Sequence, residues 1–155
     1  MEKVKVGIVG ATGYAGAELV RLLTAHPCAQ IEWVGSRSYE GKDISSVYRN
    51  LFRCVDLECI DDDSDSLRER INGLAEDVDV IFTATPQGAC ASFISEELLN
   101  KCRVIDLSAD FRLKDVNVYE EWYKIEHKAP QFIDEAVYGL VEVNRERIKK
   151  GTNDP

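Results

Sequence analysis

The sequence predicts an α/β domain built on a doubly wound parallel sheet, and three observations carry that expectation. Five short apolar runs recur with little polar alternation, as in strands buried on both faces. Stretches of helical period separate them, which implies crossover connections and not hairpins. Three glycines at a spacing of three stand where the first apolar run gives way to the first helical stretch.

Val4–Val9 is β-branched and apolar and stops at Gly10, as a buried strand does. Ala15, Leu19, Leu22 and Leu23 then mark a helix closed by His26-Pro27. Ile31–Gly35 reads as a second strand, and Cys54–Ile60 as a third whose polar residues weaken the pattern. Asp61-Asp62-Asp63-Ser64-Asp65 lacks the glycine and glutamate of a calcium loop. It reads as a solvated turn capping a helix through Leu67, Ile71 and Leu74. Val78–Ala84 is the fourth strand, Cys90–Leu99 a helix and Arg103–Leu107 the fifth strand. Beyond Asp110, the spacing of Tyr119, Trp122 and Tyr123 puts three aromatics on one helical face, packed on the domain or on a partner. Residues 1–150 therefore form one domain, and 151–155, which lack periodicity, read as a loose tail.

At 155 residues the chain is long enough to bury one substantial core. Its 45% hydrophobic and 30% charged residues are an ordinary balance for a soluble protein. No apolar run reaches the roughly 18 residues of a membrane span, and Met1-Glu2-Lys3-Val4-Lys5 enters a strand without a secretion signal. The expectation is a cytoplasmic protein with no membrane partner. A net charge of -9 argues against nucleic acid, whose phosphates need a basic face. An anionic small molecule stays open where local donors hold it against the overall field. The five cysteines are odd in number and form no C-x-x-C pair, so neither a metal site nor a disulfide framework is expected. Each reads as a small buried hydrophobe.

The segment Gly10-Ala11-Thr12-Gly13-Tyr14-Ala15-Gly16 is the most informative. A glycine accepts positive φ in a tight turn, and its missing Cβ lets a diphosphate approach the backbone. Free N–H groups opening the helix then face the phosphates, so a Rossmann-like dinucleotide site is expected at Gly10, Thr12, Gly13, Tyr14, Ala15 and Gly16. NAD-selective sites place a carboxylate about 20 residues further on. Here Ser36, Arg37 and Ser38 stand in its place, and Arg37 can pair with a 2′-phosphate, which selects NADP(H). The alternative is an exposed arginine in a loop. Thr85, Pro86 and Gln87 follow the fourth strand, either flanking the nicotinamide or making a simple turn.

These residues resemble N-acetyl-γ-glutamyl-phosphate reductases. Gly10–Leu19 is similar to their nucleotide-binding turn, and Ser36-Arg37-Ser38 with Gly41-Lys42 to their second-strand loop. The most distinctive match is Val104–Leu113, containing Ser108-Ala109-Asp110-Phe111-Arg112. Tyr119, Trp122-Tyr123, His127 and Val137-Tyr138-Gly139-Leu140 follow in the family's order. Gln87 and Val141 stand where members often carry His and Pro. The resemblance implies NADPH-dependent reduction of N-acetylglutamyl phosphate through a cysteine thioester, by a homo-oligomeric parent enzyme of arginine biosynthesis. It also implies that the nucleophilic cysteine and the catalytic histidine belong to a second domain. No residue here is then catalytic, and the isolated chain is inactive. On the same resemblance Ser108 and Arg112 line the cleft on the substrate side, with Arg112 either binding the anionic substrate or making a structural salt bridge. A non-enzymatic NADP(H) sensor is the alternative from a different functional class. A short-chain dehydrogenase is set aside because no tyrosine has a lysine four residues on. The Ser-Ala-Asp-Phe-Arg stretch points away from aspartate-semialdehyde dehydrogenase.

Overall fold

In the computed structural model, which describes residues 2–62 and 64–150, the most apolar run of the sequence lies in the middle of a parallel sheet. This strand, β1 (Val4–Val9), pairs with β2 (Ala29–Gly35) on one side and β4 (Val80–Thr83) on the other. Outside them lie β3 (Cys59–Ile60) and β5 (Arg103–Asp106), giving the order β3-β2-β1-β4-β5. The register runs Val6 opposite Val80, Val34 opposite Cys59 and Val80 opposite Arg103. The chain turns outward in opposite directions from β1 and β4, so the switch point expected of a ligand crevice falls between their carboxyl ends.

Helices cover both faces, as the unalternating strands require. On one face α1 (Tyr14–Thr24), α2 (Ile44–Val47) and a 3₁₀ turn at Arg49–Leu51 enclose Val6, Ile8, Val20, Val34, Ile44 and Leu51. On the other, α3 (Ser64–Leu74), α4 (Ala89–Phe93) and α5 (Glu96–Lys101) enclose Val9, Ile71, Ile81, Phe93 and Leu98. Each such side chain contributes roughly 1.5–3 kcal/mol when fully buried. The sheet and these two layers therefore carry the stability. Helix α6 (Val116–Tyr123) adds one fully buried side chain, Tyr119, whereas α7 (Val141–Lys150) buries none.

All five expected strands exist; four bounds move in, at the start of β3, both ends of β4 and the end of β5, while β2 begins two residues earlier, at Ala29. The third is the one real departure. Only Cys59–Ile60 pairs, because Cys54 sits in a turn and Leu57 bonds to Ile44 instead. The helix expected at Cys90–Leu99 is two helices. Ser95, in extended backbone (φ −151), breaks the run and its hydroxyl accepts from the Leu98 N–H at 3.2 Å, capping α5. In α1 the inner face is Gly16, Leu19, Val20 and Leu23, while Ala15 and Leu22 face outward. The three aromatics do not share a fate either. Tyr119 and Tyr123 lie with ring centroids 5.0 Å apart, but Trp122 is 77% exposed. Cys59, Cys90 and Cys102 are buried as expected, whereas Cys54 is exposed. Asp63, the side chain of Leu67 and the tail 151–155 lie outside the described residues.

Candidate functional site

The glycine turn sits at the switch point, wedged between the ends of β1 and β4. Gly10 has a φ of +74, and a Cβ there would meet the Ala84 carbonyl oxygen at 2.5 Å. Gly16 is packed as tightly, since its Cβ would come within 2.1 Å of the Gly10 oxygen. Both glycines are thus demanded by the protein's own packing. Gly13 is different. Its φ is −73, which any residue adopts, and a Cβ would meet only ordinary contacts, the nearest at 3.5 Å. Packing does not ask for a glycine there, although as the N-cap of α1 the position favours glycine over alanine. The missing side chain leaves open the approach to the N-terminus of α1, which has no side-chain cap and no acidic residue in its first turn.

Three long-range contacts brace this turn. The Asp62 carboxylate accepts from the Gly10 N–H at 2.8 Å. The hydroxyls of Thr12 and Ser36 share a hydrogen bond of 2.6 Å, and the Tyr48 hydroxyl donates to the Thr12 carbonyl at 2.8 Å. Ser36 is buried, while Arg37 and Ser38 stand exposed beyond it. Tyr14, at 95% exposure, and Ala15 project away from the fold at the helix start. The acidic cluster is therefore not merely a solvated turn. Asp62 is half-buried and reaches back to the first glycine. Burial, with the carboxylates of Asp43 and Asp62 nearby, pushes the Cys59 thiol up.

Thr85, Pro86 and Gln87 lie beside the turn. The Ala84 N–H donates to the Val9 carbonyl, and Thr85 Cγ2 lies 3.3 Å from where a Gly10 Cβ would stand. The Thr85 hydroxyl is buried without a hydrogen-bond partner among the described residues, and Pro86 and Gln87 are exposed. Ser108, expected to line the cleft, has its hydroxyl engaged: it donates to Asp106 at 2.6 Å and accepts from the Asp110 N–H at 3.1 Å. Among the described residues no hydrogen bond joins Ser108 or Arg112 to the glycine turn, and Arg112 is exposed with no ion pair. Open hollows beside α6 and at the amino ends of the strands lie away from this site.

Residues 5–151 match the family described as "Semialdehyde dehydrogenase, NAD binding domain". The chain belongs to this family. It is 63% identical over 149 residues to the N-acetyl-gamma-glutamyl-phosphate reductase of Lachnospira eligens, covering 96% of this chain and 41% of that protein. Against the reductase of the same name from Lachnoclostridium phytofermentans the identity is 56% over 147 residues, covering 95% and 40%. The chain thus spans about two fifths of the length of these curated relatives. Among solved structures, aspartate semialdehyde dehydrogenase from Candida albicans aligns at 17% identity and a TM-score of 0.48, over 74% of this chain and 32% of that one. That likeness adds nothing to what the sheet order already states.

The family's cofactor class is a nicotinamide dinucleotide, and the residues present fit one. An uncapped helix start behind a dispensable glycine suits a diphosphate. An unsatisfied hydroxyl at Thr85 suits the far end of the crevice. Sequence reasoning missed Asp62, Tyr48, Asp106 and the full part played by Asp110. The alternate spacing Asp106-x-Ser108-x-Asp110 was a signal for the last two, since short carboxylates and hydroxyls two residues apart bond their own backbone. For Asp62 the hint was an acid at the carboxyl end of a strand.

Proposed function

We propose that residues 1–150 bind NADP(H) across the carboxyl ends of β1 and β4, as the cofactor half of an N-acetyl-γ-glutamyl-phosphate reductase. The observation that carries this reading is Gly13, whose absent side chain the protein's packing does not explain and a diphosphate does. The N–H groups of Tyr14, Ala15 and Gly16 receive the phosphates at the positive end of α1. Ser36, Arg37 and Ser38 hold the 2′-phosphate on the adenosine side, and Thr85, Pro86 and Gln87 flank the nicotinamide. When bound, the dinucleotide supplies a hydride. Arg112 offers its exposed guanidinium to an anionic substrate, and Ser108 holds the loop that carries it.

In the parent enzyme the substrate is N-acetylglutamyl phosphate, an acyl phosphate whose leaving group a thiolate can displace to form a thioester. That thiolate comes from outside these residues. Burial pushes the Cys102 thiol up to about 11 and raises that of Cys90 well above the ordinary value, and both are poor nucleophiles.

Calorimetric titration of the 155-residue chain with NADPH and NADH tests the reading. A charged hydrogen bond is worth about 1.5–3 kcal/mol, so NADPH should bind about 10- to 100-fold more tightly. Arg37→Ala should remove that preference and leave NADH binding unchanged. Equal affinity for both cofactors, or binding of neither, would sink it.

A further inference from the structure

Asp110 has no exposed surface, yet its carboxylate reaches the loop after β4. One oxygen accepts from the Gly88 N–H at 2.7 Å and the Tyr119 hydroxyl at 2.8 Å. The other accepts from the Ala91 N–H at 2.9 Å. Gly88, at φ +84, is the residue on which Thr85-Pro86-Gln87 turns into α4. The Asp110 carbonyl is held as well, accepting from His127 Nε2 at 2.6 Å. Because the Ala129 N–H donates to Nδ1 at 3.2 Å, the ring hydrogen resides on Nε2. Ser108 links Asp110 onward to Asp106, whose other oxygen accepts from the Thr83 hydroxyl on β4 at 2.6 Å. The ends of β4 and β5 and the start of α4 are thereby tied into one closed loop.

A buried carboxylate is costly unless its oxygens are paired. Among the described residues each of its three partners is a neutral donor, and two of the three are backbone N–H groups of the segment that leaves the site. None of the contacts bracing the glycine turn, through Asp62, Ser36 and Tyr48, shares an atom with this set.

We propose that Asp110 is a positioning residue for the nicotinamide end of the cofactor site. It fixes Thr85–Gly88 against the glycine turn and leaves the adenosine and phosphate end to its own braces. The inference rests on the reading of the site given above.

The test uses two ligands on the 155-residue chain: NADPH, and 2′-phospho-ADP-ribose, which has the adenosine, the diphosphate and the 2′-phosphate but no nicotinamide. Asp110→Asn keeps the shape but turns an N–H donor toward either the Ala91 amide or the Gly88 amide and Tyr119 hydroxyl, which it can no longer accept from. Binding of the fragment should stay within about twofold, while NADPH loses about tenfold in affinity, the worth of one good hydrogen bond. The change in nicotinamide fluorescence on binding should fall with it. Tyr119→Phe removes one donor of three and keeps the ring, so it decides the matter if the asparagine variant does not fold. It should act in the same direction by about threefold. Parallel loss of both ligands would mean a structural role for the whole domain and overturn the proposal, as would no change in either. A wild-type chain that binds neither ligand would overturn the site reading itself, before any variant is made.

Discussion

The two ends of the site are built on opposite principles. The glycine turn is shaped by what is missing: Gly10 and Gly16 remove side chains that would collide with backbone, and Gly13 removes one that would collide with nothing in the protein. The Thr85–Gly88 loop is shaped by what is added, a buried carboxylate that draws in two backbone amides and a phenol. The first end is rigid by sterics, with hydrogen bonds from Ser36, Tyr48 and Asp62 bracing it across 24, 36 and 52 residues. The second is assembled from residues as much as 22 positions apart and rigid by hydrogen bonding. Substitutions should therefore fail differently at the two ends.

The largest effect is expected at Gly16. An alanine there would put a methyl 2.1 Å from the Gly10 oxygen, and backbone cannot yield as a side chain can. Overpacking of this kind costs about 1–3 kcal/mol, and this site belongs at the upper limit. Urea unfolding of Gly16→Ala should show a loss of about 3 kcal/mol, together with loss of cofactor binding. A variant as stable as the parent would mean that the turn is looser than its contacts imply.

Asp62→Ala comes next. It strands the Gly10 N–H and removes a hydrogen bond to a charged group, worth about 1.5–3 kcal/mol. Because the brace lies at the adenosine end, 2′-phospho-ADP-ribose and NADPH should weaken by the same factor. This is the reverse of the split expected at Asp110. If the fragment holds while NADPH alone weakens, the division into two independent ends is wrong.

Gly13→Ala separates stability from binding. The native φ of −73 suits alanine and the nearest contact is ordinary, so the unfolded chain loses freedom at little native cost. Stability should change by less than about 1 kcal/mol, the entropy gain of about 0.4–1 kcal/mol being offset by alanine's poorer fit at the helix N-cap, while dinucleotide affinity falls, because the methyl occupies the approach to the helix start. Unchanged affinity in this folded variant would remove the observation on which the cofactor site rests.

How much of this was legible in the sequence follows the same division. The central strands were readable because Val6–Val9 is buried on both faces and the neighbouring strands keep short apolar runs at Trp33-Val34 and Ile81-Phe82. The glycine turn was readable because its three glycines stand close together in the chain, although Gly10 also meets Ala84 on the neighbouring strand's loop. The braces were not. Asp62 meets Gly10 across 52 residues, and its place at the carboxyl end of β3 does not single it out from Asp61 beside it. Ser95 was missed as a helix break because the residues on either side keep a helical period through it. Tyr119 and Trp122 share that limit: spacing puts them near one face, but only the packed neighbours decide that one is buried and the other is not.

The smallest expected effect is kinetic, and it probes both ends with matched changes. Tyr48 and Tyr119 each donate one hydroxyl hydrogen bond of 2.8 Å, the first to the glycine turn and the second to Asp110. Each end also holds a buried thiol, Cys59 at the start of β3 and Cys90 beside the amide of Ala91. Burial comes first in pushing both thiols up, with Asp43 and Asp62 adding to Cys59 and Asp106 to Cys90. Labelling by a thiolate-selective reagent should therefore be slow at neutral pH, rise with pH, and proceed through local opening. Burial holds the Tyr119 phenol far above its ordinary range, with Asp110 adding to it, so Tyr119→Phe does not alter the charge near Cys90. One hydrogen bond of about 1 kcal/mol corresponds to roughly fivefold in an opening equilibrium. Tyr48→Phe should speed labelling of Cys59 by about that factor and leave Cys90 alone, and Tyr119→Phe should do the reverse, with both rates read by mass spectrometry of the labelled chain. Acceleration of both thiols by either substitution would mean that the two ends open as one cooperative unit, and the contrast between them would then belong to geometry alone.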